Sequence, residues 1–402
     1  MTTTNPTNET RKPRLLISTD GYIPRWDGVA RFLYELIPHL QKEFDITVIA
    51  PAFKGNVLDL PDVRVVRLPL LPIQFGDIYF AQFKRSIVDK LVAEADVVFN
   101  QSIGPIGIMT INAAHRRKVP CVSYIHMIEW ELAAKSIKRG RRLSSYLTKR
   151  LARNLYNKCW MLLVPGEDAE LLLQSAGVHT MMKTVPLGVD TGRFAPPIDK
   201  RAAKSAIGIA PTAPVVGYVG RIAREKDLPT LQHAFDTVRR DHKNAVLLIV
   251  GDGLREELRK GENVRITGMV NNVVPYLQAM DVFVLPSLTE TSSLATMEAM
   301  SCALPVIVTP VGNIPDYLDH EKNGWFVARR DADDLARKIS YLFDRADVRA
   351  RLSLGARQTM IARYSWSTVS ERVGNILHAM LSKKRANAQR ADRRVHDARH
   401  TA

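Results

Sequence analysis

The sequence predicts an α/β protein built from two doubly wound, mostly parallel-sheet domains. Short unbroken apolar runs alternate with longer amphipathic ones, and the alternation restarts near the middle of the chain. The 402 residues, 46% of them hydrophobic, are enough for two cores. Strands of a parallel sheet are buried on both faces and so read as continuous apolar runs, while crossover helices show one apolar stripe.

In the first half, "RLLIST" (Arg14 to Thr19), "DITVIA", "VRVVRLP", "DVVFNQ", "PCVSYIH" and "WMLLVP" read as strands, with helical patterns such as "VARFLYELIPHLQKEF" between many of them. The series begins again with "PVVGYVG" (Pro214 to Gly220), "AVLLIVG", "NVRITG", "DVFVLP", "PVIVT" and "GWFVA". The Pro- and Ala-rich stretch from Phe194 to Pro214 marks the junction. Beyond Ala328 the pattern is helical, ending in the amphipathic "STVSERVGNILHAMLSKK". The expected layout is a disordered N-terminus over 1–13, a first domain over 14–195, a second over 196–365, a helix over 366–382 and a basic disordered tail over 383–402.

Cys121, Cys159 and Cys302 are too few and scattered for a disulfide framework or a zinc site, and their apolar contexts fit a reducing compartment. The N-terminus lacks the apolar run of a signal peptide, and no apolar stretch is long enough to span a membrane. Charge is lopsided, with 57 basic and 41 acidic residues, a net +16. Most of the excess lies in two places: Lys135 to Lys158, which has no acid at all, and the segment from Lys383 onward. Such localisation points to an anionic partner. A nucleic-acid partner is disfavoured, because the charge is not interleaved with aromatics and no known binding module is present.

In open α/β sheets, ligands bind beyond the carboxyl ends of strands, often at helix N-termini whose free N–H groups favour phosphate. Three strand ends carry suitable residues. After the first strand, "STDGYIPRWDGVARF" places Gly28 at the start of a helix, where a missing side chain lets a phosphate approach, although a plain turn uses glycine equally well. After the first strand of the second half, "GYVGRIAREKDLPTL" offers Arg221 and Lys226, a fork and a point charge able to neutralise a diphosphate without metal. A solvated basic turn is the simpler alternative. In "PSLTETSSLATMEAMSC", Ser292 and Ser293 supply helix-capping hydroxyls, Glu290 stays in the loop and Glu298 falls one to two turns into the helix. A carboxylate there can accept both hydroxyls of a ribose, though a capped helix with two surface acids has the same sequence. The "DAD" at Asp331 to Asp333 opens a helical pattern and fits capping better than metal binding.

The order of these motifs, joined by "PLGVDTGRF", "GDG", "TGMV" and "GNIPDYLDHEKNGWFV", resembles glycosyltransferase family 4, the retaining nucleotide-sugar transferases of the GT-B fold. The resemblance spans roughly Leu15 to Leu377 and is most specific in the second half. It implies two Rossmann-like domains facing a central cleft, with the C-terminal helix returning to the first. It also implies that Arg221 and Lys226 hold the donor diphosphate, Glu298 the ribose and Glu290 the donor sugar. The backbone from Ser292 through Ser293 and Leu294 to Ala295 would meet sugar and phosphate. Gly268, Met269 and Val270 would flank the base, Gly28 would close on the phosphates, and His126 in "SYIHMIEWEL" would approach the sugar. The implied catalytic set is therefore His126, Glu290, Arg221 and Lys226, with no metal and no cofactor beyond the nucleotide-sugar substrate. Three departures stand out. Asp27 precedes Gly28 where the family often has a second glycine, Thr291-Ser292-Ser293 replaces Pro-Phe-Gly, and Leu187 replaces Asn. They bear on the sugar more than on the reaction. A family member reduced to a binding scaffold would lack a phosphate or ribose contact, and an epimerase of the same fold would be the nearest other enzyme.

The acceptor belongs to the first domain. In "RRLSSYLTKRLARNLYNKC" the leucines at 143, 147, 151 and 155 recur every four, with Arg142, Lys149 and Arg153 set opposite. A basic amphipathic helix can lie on an anionic membrane, or its leucines can pack on their own domain. With the basic tail, the expected partner is an anionic membrane surface or lipid acceptor, and the expected place is cytoplasmic, peripheral on the inner face of the cell membrane. A soluble glycan or small-molecule acceptor is the alternative.

Overall fold

The computed structural model describes residues 11–400, apart from 26, 56–59, 76–77, 132–140, 260, 262 and 291. Most of the expected disordered N-terminus, the end of the tail, Thr291 and three basic residues of the charged window (Lys135, Lys138, Arg139) thus lie outside the described residues. The chain divides into two compact units, one up to Pro186 together with everything from Ser370 on, the other Leu187–Val369.

The first unit runs β1 (Arg14–Ser18), α1 (Gly28–Leu40), β2 (Asp45–Pro51), β3 (Arg64–Leu68), β4 (Leu70–Phe75), β5 (Ile78–Ala81), α2 (Arg85–Glu94), β6 (Val97–Asn100), α3 (Pro105–Arg117), β7 (Cys121–Tyr124), α4 (Arg141–Tyr156), β8 (Met161–Val164), α5 (Glu167–Ser175) and β9 (Met182–Thr184). Its parallel sheet has seven strands in the order β3-β2-β1-β6-β7-β8-β9, with β4 and β5 forming a separate antiparallel pair. Strands β6, β7 and β8 are buried throughout, which is why they read as solid apolar runs. The winding reverses between β1 and β6, so ligand-binding residues are expected at the carboxyl ends of those strands.

The second unit continues with α6 (Lys200–Ala206), β10 (Val215–Val219), α7 (Leu228–Asp241), β11 (Val246–Val250), β12 (Val264–Ile266), α8 (Val274–Ala279), β13 (Val282–Leu285), α9 (Leu294–Ser301), β14 (Val306–Val308), β15 (Trp325–Phe326), α10 (Ala332–Asp344) and α11 (Ala346–Thr359). Its six strands are all parallel, ordered β12-β11-β10-β13-β14-β15, with the reversal between β10 and β13. Gly217 makes this centre possible, since a Cβ there would sit 2.0 Å from the Met280 sulfur. Both units are Rossmann-like, and together they make the GT-B fold.

Two sequence expectations need correction. Residues 187–195 go with the second unit rather than the first. Val189 exchanges backbone hydrogen bonds with Tyr364 (2.8 Å) and Trp366 (3.3 Å), and Gly188 leaves room for the Trp366 indole, which a Cβ would meet at 2.5 Å. The tail is also not disordered up to His400: α12 runs unbroken over Trp366–His400. The segment "RANAQRADRRVHDAR" holds no Gly or Pro and is rich in Ala, Arg and Gln, so helix propensity carries the chain on where apolar content is low. α12 meets α1 and the loop after it. His378 stacks on Phe44 (ring centroids 4.6 Å) and its Nε2 lies 2.8 Å from Glu43.

Candidate active site

In the second unit the residues cluster at the reversal between β10 and β13. Chain leaving β10 turns through Gly220 (φ +152°) and a single 3-10 turn over Arg224–Lys226. This turn is joined to the loop after β13 by the Leu288 N–H donating to Glu225 O at 2.8 Å. Lys226 Nζ then reaches Glu290 Oε1 at 2.6 Å, and Ser287 Oγ donates to the same oxygen at 2.7 Å. The Lys226 and Glu290 side chains are only 18% and 10% exposed, so the pair is largely desolvated. An ion pair so placed is held by geometry and hydrogen bonding, because attraction alone barely offsets burying two charges. Tyr218 and Tyr317 flank it. Burial pushes both phenols up, and the Glu290 carboxylate adds to the effect. Arg221 does not join the pair. It is exposed and bound to Glu225, while its carbonyl accepts from Tyr218 OH at 2.8 Å.

The helix that follows begins under constraint. Ser293, the N-cap of α9, sits at φ +43°, a region L-residues rarely enter, and its Oγ accepts from Thr296 N–H at 3.3 Å. Ser292 is buried, with its Oγ accepting from Asn313 Nδ2 (3.2 Å) and its carbonyl from Tyr317 OH (3.2 Å). Four residues into α9, Glu298 is 5% exposed. Its charge, after burial, helps push the Cys302 thiol up to about 12. Leu294 and Ala295 open the helix, where unpaired backbone N–H groups favour an anion. On the other side of β10, Gly268 (φ +79°) bridges Gly251, Met269 is 83% exposed and Val270 packs on the core. The positive φ at Gly268 favours glycine, whereas the Arg255 guanidinium, 2.3 Å from where a Cβ would lie, could swing aside. Among the described residues no group of three or more His, Cys, Asp or Glu could hold a metal. Asp331 caps α10 instead, accepting from Asp334 N–H at 2.9 Å.

In the first unit the ends of β1, β6 and β7 supply the polar residues. His126 follows β7, half-buried between Tyr124 (ring centroids 4.5 Å) and the edge of Phe32 (4.9 Å). Its Nε2 lies 3.0 Å from Gln101 Oε1. Gln101 is buried, and its own amide nitrogen reaches Phe99 O at 3.5 Å, which points Oε1 at the imidazole and places the proton on Nε2. Burial lowers the His126 pKa to about 3, so the ring is neutral and Nδ1 remains a hydrogen-bond acceptor. At the end of β1, Asp20 caps α3, accepting from Ile106 N–H (3.0 Å), Gly107 N–H (3.3 Å) and Ser102 Oγ (2.6 Å). Gly28 opens α1, and a Cβ there would meet nothing within 4 Å. The neighbouring Asp27 already turns its carboxylate onto that helix N-terminus, accepting from Ala30 N–H at 2.9 Å. A phosphate drawn to Gly28 would therefore meet a like charge.

Motif reasoning missed Gln101 and Glu129. Glu129 lies three residues past His126. Tyr156 OH of α4 donates to its Oε1, while the buried Oε2 has no hydrogen-bond partner among the described residues. Burial pushes its carboxyl up to about 7. Nothing in "HMIEWEL" signals burial of that acid.

A model of glycosyltransferase family 4 matches residues 26–193, and one of glycosyl transferases group 1 matches 213–345. The chain belongs to glycosyltransferase family 4. It is a hexosyltransferase that uses a nucleotide-diphosphate sugar. Among relatives, a GDP-mannose-dependent monoacylated α-(1-6)-phosphatidylinositol monomannoside mannosyltransferase of Corynebacterium glutamicum is 26% identical over 91% of this chain and 98% of that protein. An α-monoglucosyldiacylglycerol synthase of Streptococcus pneumoniae is 25% identical over 73% of this chain and 70% of that one. Among solved structures, Anabaena HepE in complex with UDP superposes with a TM-score of 0.73 at 18% identity, over 91% of this chain and 100% of that one. Sucrose-phosphate synthase of Thermosynechococcus elongatus gives 0.70 at 19%, over 93% and 100%. These two structures share the fold of this family 4 chain.

Proposed function

We propose that this family 4 enzyme moves a hexose, with retention, from a UDP- or GDP-linked donor to a membrane lipid or lipid-linked glycan at the inner face of the cell membrane. The observation that carries the acceptor reading is α4. Every-four spacing advances 40° per step on a helix of about 100° per residue, so its leucines do not share one face. Leu155 is buried with Ala152 and Tyr156, whereas Leu143, Leu147 and Leu151 are 63%, 54% and 40% exposed. Tyr146, 59% exposed, and the exposed Arg142, Arg150 and Arg153 share that outward arc. Lys149 is set apart, half-buried with its ammonium 5.8 Å from the Trp130 ring centroid. An outward face of leucines and arginines is costly in water and complementary to an anionic bilayer. The names of the two relatives fit, since both act on lipids. Among the described residues no helix is long and apolar enough to cross a membrane, and attachment through α4 does not need one.

For the donor, Lys226 keeps donors free beyond the one on Glu290 and so ties the sugar-reading carboxylate to the diphosphate. Arg221, the α9 N-terminus and Lys226 stabilise charge where it develops on the departing phosphate, without a metal. The bond from anomeric carbon to phosphate oxygen breaks, the acceptor oxygen bonds on the same face, and the acceptor proton passes to the leaving phosphate. Glu298 accepts from the ribose, and His126 Nδ1 accepts from a sugar hydroxyl. Ser292, Ser293, Leu294, Ala295, Gly268, Met269 and Val270 line the nucleotide and sugar, whereas Asp27 on the α1 N-terminus argues against a phosphate at Gly28. Incubating the protein with UDP- and GDP-hexoses and a lipid extract, then weighing the lipids by mass spectrometry, tests the reading. Hexosylated lipid supports it, and transfer confined to soluble glycans overturns the acceptor.

A further inference from the structure

A recess of about 390 Å³ lies at the edge of the second unit's sheet and shares no residue with the donor cluster. Trp325 of the edge strand β15 and Tyr341 of α10 line it, with ring centroids 5.8 Å apart and planes at 48°. Arg337 and Lys338 come from α10, Arg351 from α11 and Glu321 from the loop before β15. Its size falls within the range of small-molecule sites.

The walls are fixed by contacts that tie the loop before β15 and the strand itself to α10 and α11. Lys338 Nζ holds Phe326 O at 2.9 Å and pairs with Asp334. Arg351 Nη1 donates to Glu321 O at 2.9 Å. One turn on, Gly355 lets α11 lie directly on the loop, where a Cβ would sit 2.4 Å from Lys322 O. Asn323 Nδ2 completes the brace, reaching Tyr317 O and Thr359 Oγ1, both at 3.0 Å. A recess ordered in advance loses little entropy on binding. Among the described residues, Arg351 uses one of its five N–H donors here and Arg337 touches only Asp334, at 3.2 Å.

The lining selects a ligand class. Two aromatic faces suit the C–H-rich face of a pyranose, and guanidinium forks suit phosphate. A bare anion would leave the rings unused, and a neutral sugar would leave the remaining guanidinium donors to water. We propose that this recess is a second, non-catalytic binding site for a phosphorylated pyranose. It is independent of the acceptor reading.

Glucose 6-phosphate is the probe, titrated by calorimetry into the full chain, with glucose and inorganic phosphate in parallel. The expected result is saturable binding with a Kd of about 1 mM or tighter, and at least about tenfold weaker binding of each control. Arg351→Gln keeps a donor for Glu321 O but removes the charge, and should weaken the probe about tenfold without lowering Tm. Trp325→Ala should do the same. Lys226→Ala should leave probe binding unchanged, which separates the recess from the donor cluster. Absence of saturable binding, equal binding of inorganic phosphate, or loss in Lys226→Ala with retention in Arg351→Gln each overturns the proposal.

Discussion

Lys226 and Glu290, both assigned to the donor in the proposed function, meet in one largely desolvated contact of 2.6 Å. Removing either a buried charge-assisted donor or a buried acceptor costs roughly 2–4 kcal/mol, so Lys226→Ala and Glu298→Ala should each lower turnover by about thirty- to a thousandfold. Near-normal kinetics in both would remove the donor assignment. Glu290→Gln should impair sugar transfer far more than binding of the bare nucleoside diphosphate, and equal loss of both would mean that it does not read the sugar. Glu129 gives a pH signature. Its carboxyl titrates near 7 in the fold against an ordinary value of 4.5, so the folded state binds the extra proton between those values. Stability is thus highest at the acidic end, falls as pH rises through that window and is flat above it, by roughly 3 kcal/mol in all. In Glu129→Gln, chemical unfolding across pH 5–8 should lose this downward slope, and a slope identical to wild type would contradict the buried-acid account. Motif spacing singled out Lys226 and Glu290 one by one, and the structure shows that they touch. Gln101 and Glu129 were not, because their roles come from burial between elements distant in sequence.

The elements show where pattern suffices. All six runs read as strands in each half became strands, since unbroken apolar runs flanked by turn residues have few other uses. The β4–β5 pair escaped notice because "LPLLPIQFGDIYFA" carries prolines and a glycine that read as loop. Strand β9, "MKT", is an exposed sheet edge with no apolar run to mark it. For α4, repetition in the sequence located the helix but misplaced its face, because four is not 3.6. The arginines on its outward arc are worth about 1 kcal/mol each near an anionic surface. Replacing Arg142, Arg150 and Arg153 together with Ser should therefore weaken binding to anionic liposomes about a hundredfold in flotation assays. Leu143→Ser with Leu147→Ser should weaken binding to neutral liposomes as well. Unchanged flotation in both variants would return α4 to the status of an ordinary surface helix.

Over the whole molecule, two parallel sheets and a +16 charge belong to a family 4 transferase, and the proposed function has it handle its anionic donor with Lys226 and Arg221. The fold was legible because two full α/β series leave few topologies. The end of the chain was not, since composition that argues against a core also suits an extended helix such as α12. Activity should survive EDTA, and full inhibition reversed by magnesium or manganese would contradict the metal-free clamp. The most direct measurement is transfer itself. Purified protein is incubated in EDTA with UDP- or GDP-hexose and liposomes of anionic lipid extract, and the lipids are weighed by mass spectrometry. The predicted result is a lipid gaining one hexose with wild type and not with Lys226→Ala. Hexose appearing only on soluble molecules or free in water, with the lipids unchanged, would contradict it.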